Sequence, residues 1–279
     1  MDFKTKLHPL NTYTARQFAL FRIVLGVYLA IHLGALIPYA TEIWSNQGLL
    51  PQANLNLTHG FFPNIFNVFD APKVIHFALI GLFCCAILLV LGIQRPIVSL
   101  LLWYGWVCLF DRNNLINNPG IPFIGWLLLC CVFIPKGEAF TLFTPQKSDW
   151  TFPKLLFWGA WAIMAIGYTL SGVDKFYSPS WYDGSAVTHL LHNPLARDWA
   201  LRTFMLALPP AFLKGMTWCI LFIEIAFLPL ALWQKSRKWI WLLMILMHIG
   251  ILFIIDFADL TIGMLMIHAF TFDARWWRK

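Results

Sequence analysis

The chain has 279 residues, 59% hydrophobic and only 12% charged, about half the charged share of a soluble domain. Such a composition cannot cover a water-facing surface, so soluble enzymes and carriers are excluded. The formal charge of +7 invites a nucleic-acid partner, but the basic residues lie between apolar runs rather than in one patch, and no such partner is expected. The 25 Phe and 15 Trp suit contact with lipid and with the membrane interface.

Residues 1–16 are polar and carry Lys4, Lys6 and Arg16. No small-residue cleavage site follows the first apolar run, so that run reads as a retained helix and not a signal peptide. Apolar spans are predicted at about 17–40, 74–94, 97–110, 121–135, 155–172, 212–233, 239–255 and 258–271, several of them shorter than the roughly 20 residues of a clean crossing. The third and fourth read either as spans or as short helices meeting in a buried polar turn. The expected fold class is all-α: a polytopic membrane bundle of about eight transmembrane helices. It forms a single domain over residues 1–279 with no separate soluble domain.

Basic residues orient the bundle. With the N-terminus in the cytoplasm and the spans alternating, 13 of the 20 Lys and Arg fall on inner segments, among them Lys4, Lys6, Arg95, Lys235, Arg237, Lys238, Arg278 and Lys279. Six fall outside: Lys73, Arg112, Lys175, Arg197, Arg202 and Lys214. This bias places both termini in the cytoplasm. The long connections, about 41–73 and 173–211, then lie outside, and long ordered loops are usually functional.

Metal chemistry finds little support. The six cysteines lie within apolar runs without ligand spacing and read as packing residues. His189 and His192 are three apart, but no third ligand is evident, and no metal is expected.

The ionisable groups in the apolar spans are the functional candidates. Lys175 follows the fifth span in Ser171-Gly172-Val173-Asp174-Lys175-Phe176. It either snorkels to the interface or, desolvated, becomes a base or nucleophile. Arg22, one turn into the first span, snorkels or pairs with a buried carboxylate. Glu224, near the middle of the sixth span, must be protonated, paired or beside water. An Arg22–Glu224 pair would satisfy both. His248 lies on an apolar helix, where one structural hydrogen bond is the commoner role; His32 and His268 carry still less signal. The polar link Asp111-Arg112-Asn113-Asn114-Leu115-Ile116-Asn117-Asn118-Pro119-Gly120 either caps two helices or holds a ligand oxygen with its amides.

Several of these segments together resemble one family. Ala19-Leu20-Phe21-Arg22-Ile23-Val24-Leu25-Gly26 is similar to the opening helix of the vitamin K-dependent gamma-carboxylase-like membrane domain, the horizontally transferred transmembrane (HTTM) domain. Ser171 to Phe176, followed by Trp181-Tyr182-Asp183-Gly184, resembles that family's catalytic-lysine segment. His248 through Leu265 resembles its histidine-bearing late helices, and Asp111 with Asn117 and Asn118 its polar turn. The likeness departs at Pro119-Gly120, where the carboxylase has His, at Asp174, where the vertebrate enzyme has a second lysine, and in having no large soluble C-terminal region.

The resemblance implies Lys175 and His248 as catalytic residues. It also implies Asn117, Asn118, Asp111, Trp181 and Asp183 as substrate- or quinol-binding residues, reduced vitamin K or menaquinol as co-substrate, and the bacterial cytoplasmic (inner) membrane as location. Arg22 and Glu224 are the structural buried charges. Three functions follow as expectations: quinol-linked lysine-base oxygenation or carboxylation at the outer face; a non-catalytic membrane factor for maturation, export or immunity of a secreted peptide; or a lipid-binding protein. The lipid bilayer, a quinol and a secreted peptide are the expected partners. The oligomeric state is not legible.

Overall fold

A computed structural model describes residues 13–277. Lys4, Lys6, Arg278 and Lys279, which contribute to the inner charge count, lie outside the described residues. The described chain is all-helical, with no strand beyond an isolated bridge between Ala196 and Ile255. It divides into two compact units, the first essentially residues 1–154 with 273–275 and the second the remainder.

The first unit holds α1 (Ala15–Leu36), α2 (Ala40–Trp44), α3 (Pro72–Leu91), α4 (Arg95–Arg112) and α5 (Gly120–Phe133). Thr14 caps α1 through Gln17 N, the usual role of a hydroxyl at that position. α1 packs along α3, and α4 along α5. The second unit holds α6 (Lys154–Phe176), α7 (Pro179–Tyr182), α8 (Ala186–Leu191), α9 (Ala200–Leu206), α10 (Pro210–Ile225), α11 (Phe227–Leu232), α12 (Gln234–Ile254) and α13 (Ala258–Phe270).

Among the described residues, four helical stretches are long and apolar enough to cross a membrane: Ala15–Trp44, Pro72–Leu91, Lys154–Phe176 and Gln234–Ile254. The pair α9 and α10, bent by 106°, adds a fifth if it counts as one span. α5 and α13, with 14 and 13 residues, fall short of a ~30 Å hydrocarbon layer at ~1.5 Å per residue.

One predicted span is broken. Residues 212–233 form two helices, α10 and α11, separated at Ala226. Pro229 supplies the reason: without an N–H it cannot bond the carbonyl of Ile225 one turn earlier. Glu224 therefore sits at a helix break rather than within a continuous span.

Buried charge in the first unit serves helix ends. Gly92 closes α3 with φ +69°, and a Cβ there would lie 3.0 Å from Arg22 Cζ. The Arg22 guanidinium donates to the terminal carbonyls of Leu89 (2.5 Å) and Val90 (2.6 Å), and to Phe140 O (2.7 Å). Arg95 does the same for the end of α5, donating to Cys131 O, Ile134 O (2.7 Å) and Pro135 O (2.9 Å). Glu138 neutralises both, at 2.7 Å from Arg95 Nε and 3.7 Å from Arg22 Nε. The envisaged Arg22–Glu224 pair is thus corrected: the carboxylate beside Arg22 is Glu138, and Glu224 has a cation of its own.

Both sequence-assigned buried charges do face the interior, Arg22 at 0% and Glu224 at 3% exposure. Glu138, Arg95 and Arg112 are equally buried and were missed, because each lies at the edge of an apolar run where sequence favours an interfacial reading. Arg95→Met should strand Glu138 and the α5 carbonyls together. Unfolding by sodium dodecyl sulfate titration should show a loss of about 3 kcal/mol or more, against a near-neutral effect for the exposed Lys147→Met.

Candidate functional site

Lys175 lies in the last turn of α6, and its Nζ meets both carboxylate oxygens of Glu224 at 2.5 Å and Ser171 Oγ at 3.2 Å. Ser171 precedes it by four residues on one helix face, where i and i+4 side chains touch. The Trp181 ring stands 5.0 Å from the ammonium, a cation–π distance. The lysine side chain is 26% exposed and the glutamate 5%.

Gly172 brings the two helices together. A Cβ there would come within 2.7 Å of Ile225 N and 3.0 Å of Glu224 Cβ. α6 therefore approaches the α10–α11 break at backbone contact, and Glu224 reaches Lys175 one turn further along. Thr169 stitches the same break: its Oγ1 accepts from Leu228 N at 3.1 Å and donates to Glu224 O at 3.5 Å.

The pair borders a cavity of about 410 Å³. Its walls are largely apolar, with Trp181, Val187, Ile220, Met247, Ile251 and Phe257 among them, and His189 and Asn193 add polar groups. The segment over it is tied down: Arg197 N donates to Ile254 O (2.8 Å), Asp256 N to Leu195 O (2.7 Å), and Arg197 pairs with Asp256 at 2.9 Å.

The other sequence candidates fall in several places. Asp183 is exposed; hydrogen bonds from the Ser185 side chain and from Ser185 N (2.8 Å) hold its carboxyl below the usual range. His192 bonds its own turn through Thr188 O. Asp174 is exposed. Asp111, Asn117 and Asn118 line a different cavity, within the first unit. Two amides of that turn act as caps: Asn113 Oδ1 accepts from Leu115 N, and Asn118 Oδ1 from Gly120 N.

His248 is buried and does not line the lysine cavity, to which α12 contributes Met247 and Ile251. Its Nε2 lies 2.7 Å from Tyr168 Oη, and His268 Nε2 lies 2.8 Å from the same oxygen. A phenol has one proton to give. With both imidazoles neutral, one Nε2 accepts it and the other carries its own proton and donates back. The histidines are therefore opposite tautomers, and their Nδ1 atoms, which have no partner among the described residues, comprise one buried donor and one buried acceptor. Sequence reasoning passed over Tyr168 and gave His268 little weight, yet Tyr168, Gly172 and Lys175 share one stripe of α6 at spacings of four and three; for Tyr168 that spacing was the available signal.

Comparison with family models, with curated proteins and with solved structures returns no match.

The ion pair makes one clear demand. Glu224→Ala leaves the Lys175 ammonium beside an apolar cavity without its carboxylate, and stability in detergent should fall by about 3 kcal/mol. Glu224→Gln keeps the shape and one acceptor oxygen, and should lose distinctly less. Equal losses for the two variants would show that packing, not charge, holds the pair.

Proposed function

We propose that this chain is a multi-pass membrane protein of the gamma-carboxylase-like HTTM kind, and that its second unit binds a quinol-type, oxygen-headed lipid at Lys175. The carrying observation is the Lys175–Glu224 pair at the edge of a mostly apolar cavity of about 410 Å³. Such walls with one convergent polar group suit an amphiphile whose hydroxyl points at the pair. The sequence resemblance, with Lys175 on the family's catalytic-lysine segment, supports the same reading.

The geometry modifies the role of the lysine. Its three N–H groups match three acceptors, two on Glu224 and one on Ser171. An amine in that state has no lone pair to offer, so it becomes a base only after passing a proton to Glu224. The economical division of labour makes Glu224 the proton acceptor. The hydroxyl proton moves to its carboxylate, and the ammonium of Lys175 faces the oxygen left behind. Oxidation by oxygen is the chemistry that a quinol supplies once its proton is removed.

One observation favours the runner-up, a non-catalytic factor for maturation, export or immunity of a secreted peptide. The pair is closed, with every lysine proton engaged, as in a structural ion pair. Three variants separate the readings in purified protein supplied with menaquinol and oxygen, with epoxide formation followed by chromatography. Lys175→Met should abolish turnover even where the protein is still folded at the assay temperature, because it also strands the buried Glu224 carboxylate and lowers stability by about 3 kcal/mol. Glu224→Gln should abolish turnover with a distinctly smaller loss of stability. Lys175→Arg should retain part of the turnover if the cation is electrostatic, and none if the amine must act as base. Wild-type protein without any turnover, or full turnover in Glu224→Gln, would reject the enzymatic reading.

For the membrane we propose eight crossings with both termini in the bacterial cytoplasm, supported by the bias of the basic residues. Gln47, exposed in the loop after α2, and Lys235, exposed in the first turn of α12, are the places for labels. In a cysteine-free background, Gln47→Cys should react with an impermeant maleimide on intact cells, and Lys235→Cys only after lysis. Reaction of both from the same side would refute the alternation.

A further inference from the structure

The first unit carries a cavity that the lysine chemistry does not use. It holds about 450 Å³ and is lined by Trp103, Trp106, Phe110 and Trp126 with Asp111 and Thr58. Three indoles and a phenyl ring present electron-rich faces, and no Lys, Arg or His side chain is on the wall.

Asp111 is half-buried there and has no ion-pair partner among the described residues. Its neighbour Arg112 is committed to Leu50 O (2.8 Å), Pro51 O (3.2 Å) and Asp70 (3.6 Å). The Asp111 carboxylate accepts one amide hydrogen, from Asn64 Nδ2 at 2.9 Å, which leaves acceptor capacity on its other oxygen. Thr58 Oγ1 is buried with no hydrogen-bond partner among the described residues. Asn118 Oδ1 already accepts from Gly120 N.

The wall therefore carries a carboxylate and no positive charge to answer it. We propose that this cavity binds a protonated primary amine carried on an apolar body. The ammonium donates to Asp111 and Thr58 Oγ1, and the body lies against Trp103, Phe110 and Trp126. A neutral alcohol would answer Thr58 but leave the carboxylate without a cation. A quaternary ammonium would answer the carboxylate and the rings but has no hydrogen for Thr58. The ammonium is either that of a free amine or that of an ethanolamine lipid headgroup.

Isothermal titration at pH 7 into protein held in phosphatidylcholine nanodiscs, with empty discs subtracted, tests this with 2-phenylethylamine and its neutral counterpart 2-phenylethanol. The amine should bind saturably at one site, and the alcohol at least about ten-fold more weakly. Asp111→Asn preserves the side-chain volume and an oxygen for Asn64, and should cost the amine about ten-fold or more. Val107→Trp should block the cavity by volume alone. Lys175→Met should leave amine binding unchanged, so this result and the quinol reading fail separately. Displacement of the amine by lysophosphatidylethanolamine at lower concentration assigns the site to the headgroup; failure to displace assigns it to a free amine. Alcohol binding as tight as the amine, undiminished amine binding in Asp111→Asn, or no saturable amine binding to protein with a normal unfolding transition would overturn the proposal.

Discussion

In an apolar medium every helix end leaves carbonyls that water cannot reach, and that shortage of donors organises this protein. Lipid offers no hydrogen bonds, so exposed backbone groups must find partners within the chain. Arginine is the efficient answer, since one guanidinium presents five donors in a plane. Arg22 and Arg95 each collect three backbone carbonyls around the ends of α3 and α5. Arg112 collects two more from the loop that covers the α4–α5 turn. Their charges then require a carboxylate, and Glu138, at 2% exposure, is shared between two of them. The charges are best understood as a consequence of capping: the guanidinium is needed for its hydrogens and the glutamate for the charge that comes with them.

The same constraint explains where the second unit is able to host chemistry. Pro229 opens the ladder between α10 and α11, and Thr169 closes part of the gap with its hydroxyl. A broken helix is tolerated at such a place because neighbouring side chains take up the released groups. Glu224 stands one residue before Ile225, whose carbonyl the proline leaves without its usual partner, and Gly172 lets α6 touch the break. The carboxylate, the amine and the irregular backbone therefore occur together for one reason: the break gives a polar group a place to turn inward, and the glycine admits its counterion.

How much of this could be read beforehand follows from the range of each signal. Apolar runs are local, so the helices lie close to the stretches read from sequence, and Lys175, Arg22 and Glu224 stood out as charges in apolar surroundings. Partners are non-local. Nothing in the sequence says that Arg22 meets Glu138 rather than Glu224, because 116 and 202 residues of separation are equally silent. Pro229 was visible and should have weakened the prediction of one continuous span over 212–233, but the hydropathy of Phe227 to Leu232 masked it. The Asp111–Gly120 link was legible as polar and ambiguous in role. Two of its four amides, Asn113 and Asn118, proved to be caps, while Asp111 itself turns to a cavity wall.

The tyrosine between two histidines sharpens what the second unit must contain. A phenol that gives its proton to one imidazole and accepts from the other joins His248 and His268 into a chain in which each proton position depends on the next. Moving both protons along the chain would leave an imidazolium at one end and an imidazolate at the other, so exchanging the neutral tautomers also requires one Nδ1 to lose a proton and the other to gain one. Leaving both Nδ1 atoms without partners among the described residues is costly in a low-dielectric interior, since one is a donor and the other an acceptor. Packing alone would be served better by apolar side chains of similar size. Three protic groups within hydrogen-bond reach, on α6, α12 and α13, therefore form one hydrogen-bonded chain centred on the helix that also carries Lys175, and both histidines enter it through one phenolic oxygen.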